Sequence, residues 1–342
     1  MNFRFLILLL TIAFAYDRVK AEQQIEKSIT LEESKLIQEI TFSETFQETP
    51  VVYITLTKLS MASQKYGFEI DVTEVNTKGF KIIYKKYIDD PITLQVQWLA
   101  IFDPRVEVAY YTSFKQQLIV PVYEDNFAYS IIGVQGSSNQ VGIQVEKIDN
   151  GNAYLQVTNS VKMIKLCIIS GSKHALYPKF IPFSVSNNHP WLKEQKGKAF
   201  ISFSYDLNVN KPILIGGITE FLFKSQAIKI QLQNLKYDDK VLAEIGTWND
   251  AQLVQAQVSI LAYIIDEDLI MSDKNCVELF EQCYFQGKTI KICKEGDGQN
   301  LGTEFKFKSF IVPRFKQFEL VNNKDVQQLM GIESCVDEMI LK

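Results

Sequence analysis

Side chains able to do chemistry are sparse in this 342-residue chain. Its only two histidines, His174 and His189, lie in a proline-rich stretch where surface loop positions outweigh metal ligation. No G-x-S-x-G, H-E-x-x-H or phosphate-loop spacing occurs. Asp89 and Asp90 are adjacent, so in a strand they would face opposite ways; a turn before Pro91 explains them better than a carboxylate pair. Catalysis and a bound cofactor are therefore not expected. What the chain does offer is aromatic rings next to polar acceptors: Tyr87 with Asp89, and Trp248 with Asn249 and Asp250. A ring face can pack on the C–H face of a saccharide while amide and carboxylate groups take its hydroxyls, although a core role for Trp248 is the competing reading.

These residues must be positioned by a recurring phrase. It reads Phe68-Glu-Ile-Asp-Val-Thr-Glu-Val75, Val141-Gly-Ile-Gln-Val-Glu-Lys-Ile148 and Ile228-Lys-Ile-Gln-Leu-Gln-Asn-Leu235. Apolar residues occupy the first, third, fifth and eighth places of each copy. Such alternation predicts half-buried antiparallel strands, not helices, whose apolar residues recur every three or four.

The flanks extend the repeat. Phe42 and Phe46 precede Pro50-Val-Val-Tyr-Ile54 before the first copy; Phe203 and Leu207 precede Pro212-Ile-Leu-Ile215 before the third. After them come Tyr87-Ile-Asp89 leading to Trp98-Leu-Ala100, and Trp248-Asn-Asp250 leading to Ile260-Leu-Ala262. Gly79-Phe80 follows the first phrase. This ordered series resembles the H-type lectin family. The second copy keeps the apolar runs Tyr129–Ile132 and Val161–Ile169 but lacks the aromatic-x-Asp element. The resemblance implies antiparallel sandwiches of six strands, association in threes, and a carbohydrate site between neighbours, commonly for N-acetylgalactosamine. Three copies in one chain would build that trimer internally. The arginine that the family sets against its sugar, immediately before the phrase, is replaced by Gly67, Gln140 and Ala227. The residue after the cleft aromatic, often histidine in the family, is Ile88 or Asn249. Losing the guanidinium fork removes paired contacts to hydroxyls.

Residues 1–21 read as a signal peptide: Arg4, an apolar core from Phe5 to Phe14 of about ten residues, and cleavage after Ala21. No later stretch predicts a membrane span. The chain is 46% hydrophobic and carries a net charge of −4 without a long block of like charges, which disfavours nucleic acid. Residues 22–36 form a lead-in, with Thr30 and Glu33 resembling a capping box, so a short helix or an irregular segment is expected. Lectin-like units follow at 37–104, 115–171 (degenerate) and 193–266. Residues 172–195 read as a connector, because Pro178, Pro182 and Pro190 break regular structure, with Trp191 anchoring the next unit.

Four of the five cysteines, Cys276, Cys283, Cys293 and Cys335, lie within 275–342. In an exported module they favour disulfides over zinc, since no histidine accompanies them, while Cys167 is expected to be buried and reduced. Val277-Glu-Leu-Phe280, Phe280 spaced from Gly287, Ser309-Phe-Ile-Val-Pro313 and Phe318-Glu-Leu-Val321 resemble a βγ-crystallin Greek key. Glu304-Phe-Lys-Phe-Lys-Ser309 is a poor calcium cage, with two lysines where oxygen donors would stand.

The sequence thus predicts an all-β, secreted or secretory-lumen protein whose partners are glycans or glycoproteins of galactose or N-acetylgalactosamine type. The alternatives are a structural cargo or matrix protein that has lost sugar binding, and a protease inhibitor acting through the last module.

Overall fold

The computed structural model describes residues 22–341 except 32–35, 47, 64, 104, 123–125, 159, 172–174, 185–192, 196–197, 208–211, 250, 265–276, 283–285, 293–304, 312–316, 323–324, 331 and 334–338. The expected signal segment, both histidines, Trp191, Asp250 and the four C-terminal cysteines lie outside the described residues. The fold is all-β, built from antiparallel sheets, and no helix occurs among the described residues.

Among the described residues, nineteen strands precede the C-terminal module and fall into three sets. The first set is β1 (Glu22–Leu31), β2 (Ile37–Thr41), β3 (Val51–Met61), β4 (Lys65–Asn76), β5 (Gly79–Lys86) and β6 (Ile92–Phe102). The second is β7 (Val106–Ser113), β8 (Gln117–Pro121), β9 (Phe127–Ser137), β10 (Gln140–Asp149), β11 (Asn152–Val157) and β12 (Val161–Gly171). The third is β13 (Leu176–Ser184), β14 (Lys193–Gln195), β15 (Lys198–Asp206), β16 (Ile213–Phe223), β17 (Ile228–Asp238), β18 (Lys240–Trp248) and β19 (Leu253–Tyr263).

Each sheet is shared between sets. The sheet orders are β1-β6-β3-β17-β18-β15-β14, then β13-β19-β16-β10-β11-β8, then β2-β5-β4-β9-β12-β7. In each set two consecutive strands, β3 and β4, β9 and β10, or β16 and β17, leave in different sheets and pair with a neighbouring set: β3 with β17, β9 with β4, β16 with β10. Those pairings run from the first set to the second, the second to the third, and the third back to the first. Apolar faces are therefore buried across set boundaries, and one contiguous core extends through all three.

The recurring phrase occupies β4, β10 and β17. Phe68 and Ile70, Val141 and Ile143, and Ile228, Ile230 and Leu232 are buried, as alternation requires. The jump from the fifth to the eighth place has a structural cause. Each of these strands slips register against its partner just after the fifth place, between Thr73 and Asn76, Val145 and Lys147, and Gln233 and Lys236. The extra bulge residue turns the eighth-place side chain back to the inner face, and Val75, Ile148 and Leu235 all pack on the core. Glu74 and Asn234 take left-handed φ of 52° and 54° at these bulges.

Two expectations are corrected. Residues 22–31 form neither a helix nor an irregular lead-in but β1, an edge strand along β6. The expected connector also contains a strand, β13, which carries Pro178 opposite Leu261 and Pro182 opposite Gln257. Both prolines sit four residues apart, in one phase of an edge strand, where a missing N–H can face away from the ladder. With β7 along β12, these strands give each set an outer strand along its last.

In the first set, Phe42, Phe46, Phe80 and Trp98 form one buried aromatic cluster, with ring centres 4.8 Å apart for Phe42 and Phe46 and 5.2 Å for Phe80 and Trp98. Past the third set, β20 (Val277–Gln282) pairs with β21 (Gln286–Ile292). After β22 (Phe305–Phe307), β23 (Ser309–Ile311) returns to the other side of β20.

Candidate functional site

The three places where sets join repeat one register but carry different side chains. Phe68 opposite Val134, Val141 opposite Phe221 and Ile228 opposite Met61 mark the common frame. One residue on, three residues lie in a row across the solvent-facing side of each junction.

Where the first and second sets meet, the row is Glu69, Gly133 and Lys165. Gly133 has no side chain to interrupt it; a Cβ there would come within 3.0 Å of the Lys165 Cβ. Lys165 Nζ lies 2.7 Å from Glu69 Oε1 and also donates to Asp71, whose other oxygen accepts from Lys85 at 2.6 Å. The Tyr87 hydroxyl donates to Glu69 Oε2 at 2.5 Å. Burial would raise the Glu69 and Asp71 carboxyls, but hydrogen bonds and charge from Lys165, with Tyr87 on Glu69 and Lys85 on Asp71, hold both below the ordinary range. This junction satisfies its own charges.

Where the second and third sets meet, the row is Gly142, Glu220 and Gln257. Glycine and glutamate have exchanged strands. A Cβ on Gly142 would lie 2.7 Å from Glu220 Cγ, so the glycine is what lets Glu220 fold across β10. The place of Lys165 is taken by Gln257, whose Oε1 accepts from the Thr219 hydroxyl at 3.1 Å. Glu220 Oε1 accepts from Gln255 Nε2 at 3.1 Å, and no cation pairs with Glu220 among the described residues. Burial raises its carboxyl above the ordinary value. Here the surface opens into a groove of about 690 Å³. Its polar wall is built from Gln140, Gln144, Gln156, Gln255, Gln257 and Glu220; Phe180 and Val145 supply apolar surface, with Tyr129 buried beneath. The Phe180 and Tyr129 rings lie 5.0 Å apart, and the Tyr129 hydroxyl donates to the Ile143 carbonyl.

Where the third set returns to the first, the row is Lys229, Ser60 and Thr93. Trp248 is half-buried, with the Lys58 ammonium of the first set 5.2 Å from its ring centre.

The sequence-derived residues are dispersed over two junctions. Tyr87 is 46% exposed, and its N–H donates to the Gly67 carbonyl at 2.7 Å. A Cβ on Gly67 would sit 2.8 Å from the Tyr87 Cβ, so the tyrosine closes over the place where the family carries its arginine. Asp89 is exposed, and its carbonyl accepts from Lys86 Nζ at 3.3 Å. Asn249 is exposed in a turn with φ 56°, and Asp250 lies outside the described residues. Carried two places beyond Gly246 opposite Gln231, the β17–β18 register sets Trp248 opposite Lys229, the place Lys85 holds opposite Glu69. Trp248 and Tyr87 are thus not register equivalents. Sequence reading did not find Glu220 or the glutamines. Their signal was glutamine recurring on the solvent phase of β10, β11 and β19, but only the pairing of β10 with β16 brings them together.

Comparison with known proteins adds one finding: the H-type lectin domain matches residues 37–101, which span β2 to β6 of the first set. No curated protein and no solved structure matches the chain.

Proposed function

We propose that this chain is an exported, non-enzymatic, carbohydrate-binding protein in which three lectin-like units in one polypeptide form an internal trimer. The H-type lectin domain at 37–101 supports carbohydrate binding at the level of the family. The cyclic pairing of β3 with β17, β9 with β4 and β16 with β10 supports three equivalent units, each sharing sheets with both neighbours. A single observation carries the choice of site: the junction between the second and third units opens into a groove lined by amides, a carboxylate and the Phe180 ring. That lining offers hydrogen-bond partners for hydroxyls and flat apolar surface for a pyranose face. At the corresponding places the neighbouring junctions carry the Glu69–Lys165–Asp71 ion network and the Lys58 ammonium near Trp248.

The C-terminal module is a βγ-crystallin-like appendage in this reading. Supporting features are Gly287 at φ 79° in the β20–β21 hairpin, and Lys308 N–H donating to the Phe280 carbonyl at 2.9 Å beside β23. Disulfides among Cys276, Cys283, Cys293 and Cys335 hold it together.

A glycan-array screen of the secreted full chain tests the proposal. Neutral or amine-bearing saccharides are expected to bind with dissociation constants on the order of millimolar, about 4 kcal/mol, because one shallow groove without an arginine fork offers few strong contacts. A screen without any hit at millimolar saccharide overturns the lectin reading in favour of a matrix or cargo protein.

A further inference from the structure

We infer that the groove between the second and third units selects a saccharide bearing a protonated primary amine, a 2-amino-2-deoxyhexose, with Glu220 as the counter-charge. This rests on the carbohydrate reading and specifies its ligand. The chain contains its own control. At the first junction a glutamate, Glu69, lies beside a glycine, and a lysine two strands over neutralises it at 2.7 Å. At the second junction the same row holds a glutamate and a glycine, but Gln257 stands where that lysine would be. A half-buried carboxylate has been kept and its internal cation has not.

Chemistry narrows what completes it. A carboxylate offers about four acceptor positions, and Gln255 donates to one oxygen of Glu220. Among the described residues the groove lining includes no lysine or arginine, so the Glu220 carboxylate disfavours uronic and sialic acids there. A neutral sugar would leave the charge uncompensated, whereas an ammonium group on the ring supplies both the charge and up to three donors. The surrounding glutamines can take the hydroxyls, and the half-buried Phe180 the C–H face.

The test titrates the full chain at about pH 7, where an amine of this kind is largely protonated. The probes are galactosamine and glucosamine, their N-acetyl counterparts, galactose, glucuronic acid and methylamine. Each amino sugar is expected to bind about tenfold more tightly than its N-acetyl counterpart, as one partly buried charge-assisted contact allows; glucuronic acid should bind weakest. In Glu220→Gln that ratio falls to near one, whatever the absolute affinity. Gln257→Lys, which restores an internal cation, should erase the ratio independently and covers a folding failure of the first variant. A wild-type ratio near one with neutral sugars bound overturns the amine assignment but keeps the lectin reading. Absence of binding by every sugar overturns both. Methylamine binding as tightly as galactosamine contradicts a saccharide ligand.

Discussion

Gly217 and Ser130 meet where the three units converge: a Cβ on Gly217 would lie 2.6 Å from Ser130 Oγ and 2.9 Å from the Thr55 Cβ. These residues lie on β16, β9 and β3, of the third, second and first units. Ser130 Oγ also accepts from the Leu56 N–H at 3.0 Å, so the contact has little freedom to relax. Gly217→Ala should therefore destabilise the chain by about 1–3 kcal/mol, the usual cost of overpacking. Denaturant unfolding followed by tryptophan fluorescence checks this, and an unchanged midpoint would mean that the three strands do not approach so closely.

The ion network of the first junction should be legible in pH dependence. Glu69 and Asp71 are held below ordinary carboxylate values, so they contribute stability above that range and lose it as pH falls through their lowered values. Lys165→Met is expected to cost about 1–2 kcal/mol near neutral pH, allowing for the partial exposure of the carboxylates. The gap between wild type and variant should narrow below about pH 4. Thermal melts across pH read both effects; a gap that widens on acidification would reverse the assigned sign.

A second ion pair ties the start of the second unit to the end of the third. Arg105 donates to both oxygens of the buried Asp103, through Nε at 3.0 Å and Nη2 at 2.7 Å, and reaches the Ile264 carbonyl at 3.4 Å. The Tyr263 hydroxyl donates to Asp103 Oδ2 at 3.0 Å. Tyr263→Phe removes one hydrogen bond to a buried charge and should cost about 1.5–3 kcal/mol. Equilibrium unfolding at neutral pH measures it, and a loss below half a kcal/mol would place solvent around Asp103.

For the C-terminal module, non-reducing mass spectrometry should find Cys276, Cys283, Cys293 and Cys335 paired. Cys167 should react with alkylating reagents only after unfolding: it is buried beneath β3, where its sulfur accepts from the Ile54 N–H at 3.5 Å, and burial pushes the thiol up to about 12. Rapid labelling of Cys167 in the native chain would contradict that burial.

The strand phase was legible in the sequence because burial on one face imposes a period of two. Even the departure from that period, at Val75, Ile148 and Leu235, recorded the bulges. The edge strands β1 and β13 were not legible. A capping-box pattern and two prolines are local signals, and pairing along β6 and β19 overrides them. The groove was hidden for another reason. Gly142, Glu220 and Gln257 stand on three strands from two units, and none is an unusual residue in its own strand. Trp248 drew notice by its type, yet register sets it with Lys85 and places the Lys58 ammonium above its ring.

The most direct measurement of the central claim is calorimetric titration of an array-identified saccharide into the full chain and two variants. Gln144, exposed on β10 at the groove, is changed to tryptophan to fill it; Asn249, in the turn after β18, is changed to glycine, which suits its φ of 56°. The account predicts at least about a tenfold loss of affinity in Gln144→Trp and wild-type affinity in Asn249→Gly, with both variants melting as the parent does. Undiminished binding in Gln144→Trp, or its loss in Asn249→Gly alone, would move the site out of the groove.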